Sequence, residues 1–167
     1  MYGPFDHAGP ISLGNSTTGF IYAINKKYYV QINDKKYGPY DLVLPKIVIS
    51  INGSKYGWSF ERDKQLYFQV NDDVYGPYER RLSLIAQSPI ISKNGLIRAW
   101  WFYKNGNFYV QLNDKTYGPY NGPGVLLFSN NDLLYGWTFL KDNKYYVQIN
   151  DIIYGSYDQS PYKLVFF

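Results

Sequence analysis

The 167-residue sequence contains no cysteine, which excludes a disulfide framework, a thiolate nucleophile and any zinc site built on sulfur ligands. A cysteine-free chain is stable in either redox environment, so composition assigns no compartment. Histidine is nearly absent as well. His7, beside Asp6 in a Gly/Pro-rich joint, would need partners for a metal site or a Ser-His-Asp arrangement that the rest of the chain does not supply. It reads as a surface residue. No apolar stretch approaches the roughly eighteen residues of a membrane helix. Met1 is followed by Tyr2-Gly3-Pro4 rather than by the basic segment and apolar run of a signal peptide. No membrane partner is expected. Charge of one sign is also lacking: 17 Lys and Arg against 13 Asp and Glu give +4, scattered without a block of like charges. Nucleic acid would require a basic face and is not an expected partner.

What the chain has in excess is tyrosine, 20 residues beside 10 Phe and 4 Trp. Tyrosine joins an apolar body to a polar tip, so it suits half-buried strand positions and binding surfaces alike. Composition alone does not separate the two uses.

Self-similarity organises these residues. Tyr28 to Tyr40 (YYVQINDKKYGPY), Leu66 to Tyr78 (LYFQVNDDVYGPY), Phe108 to Tyr120 (FYVQLNDKTYGPY) and Tyr145 to Tyr157 (YYVQINDIIYGSY) align without gaps, at spacings of 38, 42 and 37 residues. Eleven residues before each motif glutamine stands a large aromatic, Phe20, Trp58, Trp100 or Trp137, followed two positions later by Tyr22, Phe60, Phe102 or Phe139. A period near forty residues is the signature of a repeat architecture. The units run over about 7–41, 42–79, 80–121 and 122–158 of a single repeat domain, 1–167.

Each unit reads as four short strands. The first is an apolar run such as Lys46 to Ile51 or Val125 to Phe128. The second carries the aromatic pair on one face, because side chains alternate. The third places Val30 and Ile32 on one side and Tyr29, Gln31 and Asn33 on the other. The fourth is Tyr-Gly-Pro-Tyr, with Pro39, Pro77 and Pro119 marking an edge strand, since proline cannot donate to a ladder; Ser156 replaces it in the last copy. Asn25-Lys26, Asn105-Gly106 and Asp142-Asn143 read as tight primed turns. The recurring Asn-Asp pairs read as turns between the third and fourth strands. No segment keeps apolar residues at helical spacing.

Four antiparallel strands per forty-residue unit, with the last at an edge, resemble a β-propeller blade. The resemblance implies an all-β, β-propeller-like array of four-stranded antiparallel blades. The Gly-His and Trp-Asp signatures of the WD40 family are absent, a β-trefoil would need three units, and a stacked-hairpin solenoid would have shorter periods. Tyr2-Gly3-Pro4-Phe5-Asp6 matches a fourth strand with no unit before it. Pro161 to Phe167 matches a first strand with no unit after it. These terminal strands, 2–6 and 161–167, could close a ring, pair between chains in a homo-oligomer, or be pieces of a longer array.

Two sets of residues are candidates for binding. One is a polar-aromatic face: Tyr29, Gln31 and Asn33; Tyr67, Gln69 and Asn71; Tyr109, Gln111 and Asn113; Tyr146, Gln148 and Asn150. An amide beside an aromatic plate suits a sugar ring, and four copies would capture a repetitive glycan. The same amides could equally form a hydrogen-bond network between blades. The other set is Arg98, Trp101 and Tyr103. Trp101 replaces Ile21, Ser59 and Thr138 of the other units, and alternation turns it away from Trp100, as an asymmetric partner contact would be. Asp34, Asp72, Asp114 and Asp151 read as turn residues rather than metal ligands. No cofactor and no acid/base pair stand out. The expected function is therefore a non-catalytic interaction or assembly module that meets a protein or, alternatively, a glycan as a multivalent lectin.

Overall fold

A computed structural model of the chain describes residues 6–9, 11–81, 88–161 and 164–166, and among them there is strand but no helix. The strands form four successive antiparallel sheets. The first holds β1 (His7–Ala8), β2 (Ser12–Leu13), β3 (Thr18–Ile24), β4 (Lys27–Ile32) and β5 (Lys35–Tyr40). The second holds β6 (Leu42–Val43), β7 (Val48–Ile49), β8 (Tyr56–Arg62), β9 (Gln65–Val70) and β10 (Asp73–Tyr78). The third holds β11 (Ile90–Ile91), β12 (Arg98–Lys104), β13 (Asn107–Leu112) and β14 (Lys115–Tyr120). The fourth holds β15 (Gly122–Phe128), β16 (Tyr135–Lys141), β17 (Lys144–Ile149) and β18 (Ile152–Tyr157). Each sheet has four strand positions in chain order. The first position is split into β1 and β2, and into β6 and β7, in the first two sheets. Pro45, which lacks an N–H, lies at the second of these breaks.

Local chemistry accounts for the hairpins. Both residues of each turn between the second and third strands have positive φ: Asn25 and Lys26, Asp63 and Lys64, Asn105 and Gly106, Asp142 and Asn143. This is the primed geometry that matches strand twist. The turn asparagines that follow, Asn33, Asn71, Asn113 and Asn150, also lie in the left-handed region, at φ of 49, 53, 48 and 51°. The fourth strand lies at an edge in every sheet. Its Gly-Pro pair sits in a β-bulge: Tyr28 faces Tyr40 and Val30 faces Tyr37, so Gly38 and Pro39 together oppose Tyr29. The peptide before Pro39, Pro77, Pro119 and Ser156 is cis.

The sheets stack in chain order and bury three aromatic layers. Trp58 and Phe60 of β8 pack on Val30, Tyr37 and Tyr40 of the first sheet. Trp100 and Phe102 of β12 pack on Phe68 and Tyr78 of the second. Trp137 and Phe139 of β16 pack on Val110 and Tyr120 of the third. The geometry repeats closely. The first tyrosine of the Tyr-Gly-Pro-Tyr motif meets the next unit's tryptophan at 4.9, 4.7 and 4.9 Å between ring centroids (Tyr37–Trp58, Tyr75–Trp100, Tyr117–Trp137). The second meets its phenylalanine at 4.1, 4.4 and 4.1 Å (Tyr40–Phe60, Tyr78–Phe102, Tyr120–Phe139). The three tryptophans therefore stand in equivalent environments. Burying each such ring stabilises the stack by about 2–3 kcal/mol.

The turns between first and second strands add a polar column. Asn15 N–H donates to the Ile51 carbonyl (3.2 Å), Ile51 N–H to the Lys93 carbonyl (2.9 Å) and Asn94 N–H to the Asp132 carboxylate (3.0 Å), linking each unit to the next.

At the ends, residues 2–5 lie outside the described part. Asp6, which follows them, donates its N–H to the Ala23 carbonyl at 2.9 Å. That is the register in which Asp41, Glu79 and Asn121 donate to Glu61, Tyr103 and Leu140. Of 161–167, residues 161 and 164–166 are described, and they carry no strand. Leu164 and Phe166 nevertheless lie over Gly136 as Pro89 and Ile91 lie over Gly57, the position of a following unit's first strand.

Candidate binding surface

The polar-aromatic face is built by strand register. Gln69 is opposite Trp58 and Tyr67 opposite Phe60, so amide and ring lie on the side of the sheet that faces the preceding unit. There they are occupied. The Gln69 side-chain oxygen accepts the Tyr40 hydroxyl at 2.8 Å and its amide donates to the Asn71 carbonyl at 3.0 Å. Gln148 accepts the Tyr120 hydroxyl at 3.4 Å and donates to the Asn150 carbonyl at 3.0 Å. Both are buried. Gln111 accepts from the Thr116 hydroxyl and donates to the Asn113 carbonyl, both at 2.9 Å. Gln31, in the first sheet, donates to the Asn33 carbonyl at 2.6 Å; its hydrogen bonds among the described residues include no tyrosine hydroxyl.

The tyrosine plates stack on the aromatic of the neighbouring strand, Tyr67 on Phe60, Tyr109 on Phe102, Tyr146 on Phe139 and Tyr29 on Tyr22, at 5.2 to 5.4 Å. Asn33, Asn71, Asn113 and Asn150 accept the backbone N–H of Thr18, Tyr56, Arg98 and Tyr135 at 2.8 to 3.1 Å. These bonds tie the third strand's end to the second strand's start.

The turn aspartates are distributed one to a sheet. Asp72 holds Lys35 and accepts the Tyr37 hydroxyl, and these two contacts, Lys35 first, lower its carboxyl below the usual range. Asp151 accepts the Tyr117 hydroxyl at 3.2 Å, and Asp114 pairs with Arg98 at 3.0 Å. Asp34 is exposed. Among the described residues no group of three or more His, Asp or Glu could hold a metal ion. Burial is the largest cause raising the hydroxyl of Tyr37 and of Tyr117, followed by hydrogen bonds, with Tyr56 and Asp72 for the first and with Tyr135 and Asp151 for the second. Burial pushes Tyr40 up to about 12, with the Trp58 indole and the Arg62 cation opposing.

Trp101 is 2% exposed and packs edge-on against Tyr120 within the layer between the third and fourth sheets. Tyr103 is also buried, with the Arg81 guanidinium 4.0 Å from its ring centroid. Arg98 bridges the Tyr75 hydroxyl (2.8 Å) and Asp114. The side chain of His7 lies outside the described part.

Among the described residues, two solvent-open features bear on the candidate surfaces. One is a cleft of about 750 Å³ between the second sheet's edge and the third sheet, lined by Tyr78, Phe102, Lys104, Tyr109, Gln111 and Thr116 among others. The other is the outer face of the fourth sheet, where Tyr154 and Tyr157 are each 45% exposed; Tyr37, Tyr40 and Tyr120, in matching positions inside the array, are 9, 3 and 6%. A cleft of about 420 Å³ opens beside Tyr157, bounded by Val147 and Pro161.

The turn column escaped sequence reasoning. Its signal is a Ser-x-Asn at Ser50-Asn52, Ser92-Asn94 and Ser129-Asn131, whose hydroxyls bond the asparagine side chain at 2.8, 3.2 and 2.7 Å and accept the N–H of Lys55, Ile97 and Leu134. Scans of protein-family models, of curated proteins and of solved structures find no match to the chain.

Proposed function

We propose that the chain is a non-catalytic interaction and assembly module, a propeller-type arc of blades whose working surface is the exposed face of the last sheet. One observation carries the reading: β18 is exposed along its whole length, with Ile152, Ile153, Tyr154 and Tyr157 all solvent-facing. Exposed aromatics grouped on one strand are what a protein partner buries at the centre of an interface. The repeat supports it, since two of the recurring amides, Gln69 and Gln148, are taken up by tyrosine hydroxyls of the preceding sheet. Replacing Tyr157 by a photo-reactive phenylalanine analogue tests the reading. Illumination in a native extract is expected to give a discrete protein adduct that the same analogue at exposed Lys104 does not give; no adduct at 157 overturns it.

A second reading, a carbohydrate-binding lectin, is favoured by the 750 Å³ cleft, where Tyr109 supplies a plate and Gln111 an amide. A glycan array decides it. Binding lost on Tyr109→Ala in a folded protein supports the lectin, and a blank array removes it.

A further inference from the structure

We infer that the exposed face of the fourth sheet takes a β-strand of a different protein, one that carries two aromatic rings two residues apart; this rests on the interaction reading above and names the partner's chemistry. The three internal layers supply the template. In each, a third strand and the two motif tyrosines form a slot, and the next unit fills it in two parts. Its first strand covers the start of the second strand, as Ile47 lies over Gly19 and Pro89 and Ile91 lie over Gly57. Its own second strand then lays a Trp-x-Phe pair on the tyrosines and on a valine or phenylalanine: Trp58 and Phe60 on Val30, Trp100 and Phe102 on Phe68, Trp137 and Phe139 on Val110.

Among the described residues the fourth sheet holds the first part and lacks the second. Leu164 and Phe166 lie over Gly136, two residues apart like Pro89 and Ile91, so the chain itself takes the first-strand place. Beside it Tyr154 and Tyr157 stay exposed, and Val147 is only half-buried where its counterparts Val30, Phe68 and Val110 are fully buried. The cleft of about 420 Å³ at Val147, Tyr157 and Pro161 opens over that part of the slot. A second copy of the chain has no such pair to offer: Trp58, Phe60, Trp100, Phe102, Trp137 and Phe139 are each 5% exposed or less, and Tyr22 of the first sheet is buried as deeply. The slot sets the ligand's chemistry. Two tyrosine rings favour edge-to-face aromatic contacts, as Tyr37 and Tyr117 make with Trp58 and Trp137 at interplanar angles of 64 and 61°, and aliphatic side chains do not provide them. Bound there, the strand lies beside residues 164–166 as β8 lies beside β7, which is recognition by strand addition.

Fluorescence polarisation of a labelled heptapeptide with the sequence of residues 56–62, Tyr-Gly-Trp-Ser-Phe-Glu-Arg, tests this against the full chain. The expected result is saturable binding that weakens roughly fivefold or more when alanine replaces either the tryptophan or the phenylalanine of the peptide. Tyr154→Ala and Tyr157→Ala in the protein, with folding checked by circular dichroism, are expected to weaken it as much. The peptide variants leave the protein untouched, so a folding defect cannot mimic their effect. No saturable binding, or binding indifferent to the peptide's rings or to both tyrosines, overturns the inference. A photo-adduct at 157 that an excess of the heptapeptide does not suppress would sink the aromatic strand and leave the interaction module standing, whereas a missing adduct removes that reading and this inference with it.

Discussion

Asn71 shows how one side chain can fix a hairpin. Its backbone lies at φ 53° while its side-chain oxygen accepts the Tyr56 N–H at 3.0 Å. Asn71→Gly keeps the backbone and loses the bond, at about 1 kcal/mol. Asn71→Ala loses the bond and also places an L-residue in the left-handed region, adding about 1 kcal/mol. Urea denaturation should rank parent, Gly, Ala in falling stability, and equal midpoints for Gly and Ala would count against the backbone part. The tyrosines give a pH signature of the same origin. Burial raises Tyr40 to about 12 and also raises Tyr78 and Tyr120, whereas an unfolded tyrosine titrates near 10. Below about pH 10 both states hold the proton and the stabilisation is complete. Between about 10 and 12 the unfolded chain releases protons that the native state keeps, so stability falls as pH rises. Urea midpoints from pH 7 to 11.5 should be level and then drop, and Tyr40→Phe should flatten the drop. At this scale the sequence was informative about turns and alternation. It was mute about whether Gln69 meets a sugar or Tyr40, because a ligand site and an inter-sheet bond demand the same amide at the same spacing.

At the scale of the strand, the Gly-Pro bulge is what turns both motif tyrosines onto the next sheet. Gly118 sits in it at φ +131°, and a Cβ there would lie 2.8 Å from the Tyr109 ring and 3.0 Å from the Phe108 carbonyl. Gly118→Ala therefore meets backbone strain and a rigid neighbour together, a loss of about 3 kcal/mol. Gly106→Ala is the control: it also has positive φ, but nothing lies within 4 Å of its added carbon, so it should lose about 1 kcal/mol. Comparable thermal shifts for the two would mean that the bulge tolerates a side chain. The edge placement of this strand was legible from Pro39, Pro77 and Pro119, since a missing N–H has few other homes in a sheet. The destination of Trp101 was not. Alternation correctly turns it away from Trp100, but in a stack the opposite face of an inner sheet is another buried face, packed on Tyr120. A sequence read one sheet at a time has no term for the next sheet.

For the whole molecule, stability should follow position in the stack. Among the described residues the main contacts run within a unit and between neighbouring units, so the free energy is close to a sum of unit terms and layer terms. The second and third sheets have a layer on both faces, and β9 and β13 hold the fully buried Phe68, Val70 and Val110. The fourth sheet has a layer on one face: Val147 and Ile149 of β17 are only half-buried, and β18 is exposed throughout. Opening β18 removes one ladder of backbone bonds and little apolar contact, whereas opening β9 breaks two aromatic layers at once. Hydrogen exchange at neutral pH should accordingly protect β9 and β13 most and β18 least, with β17 between them. Exchange that is uniform across the four sheets would mean that the layers unfold as one unit.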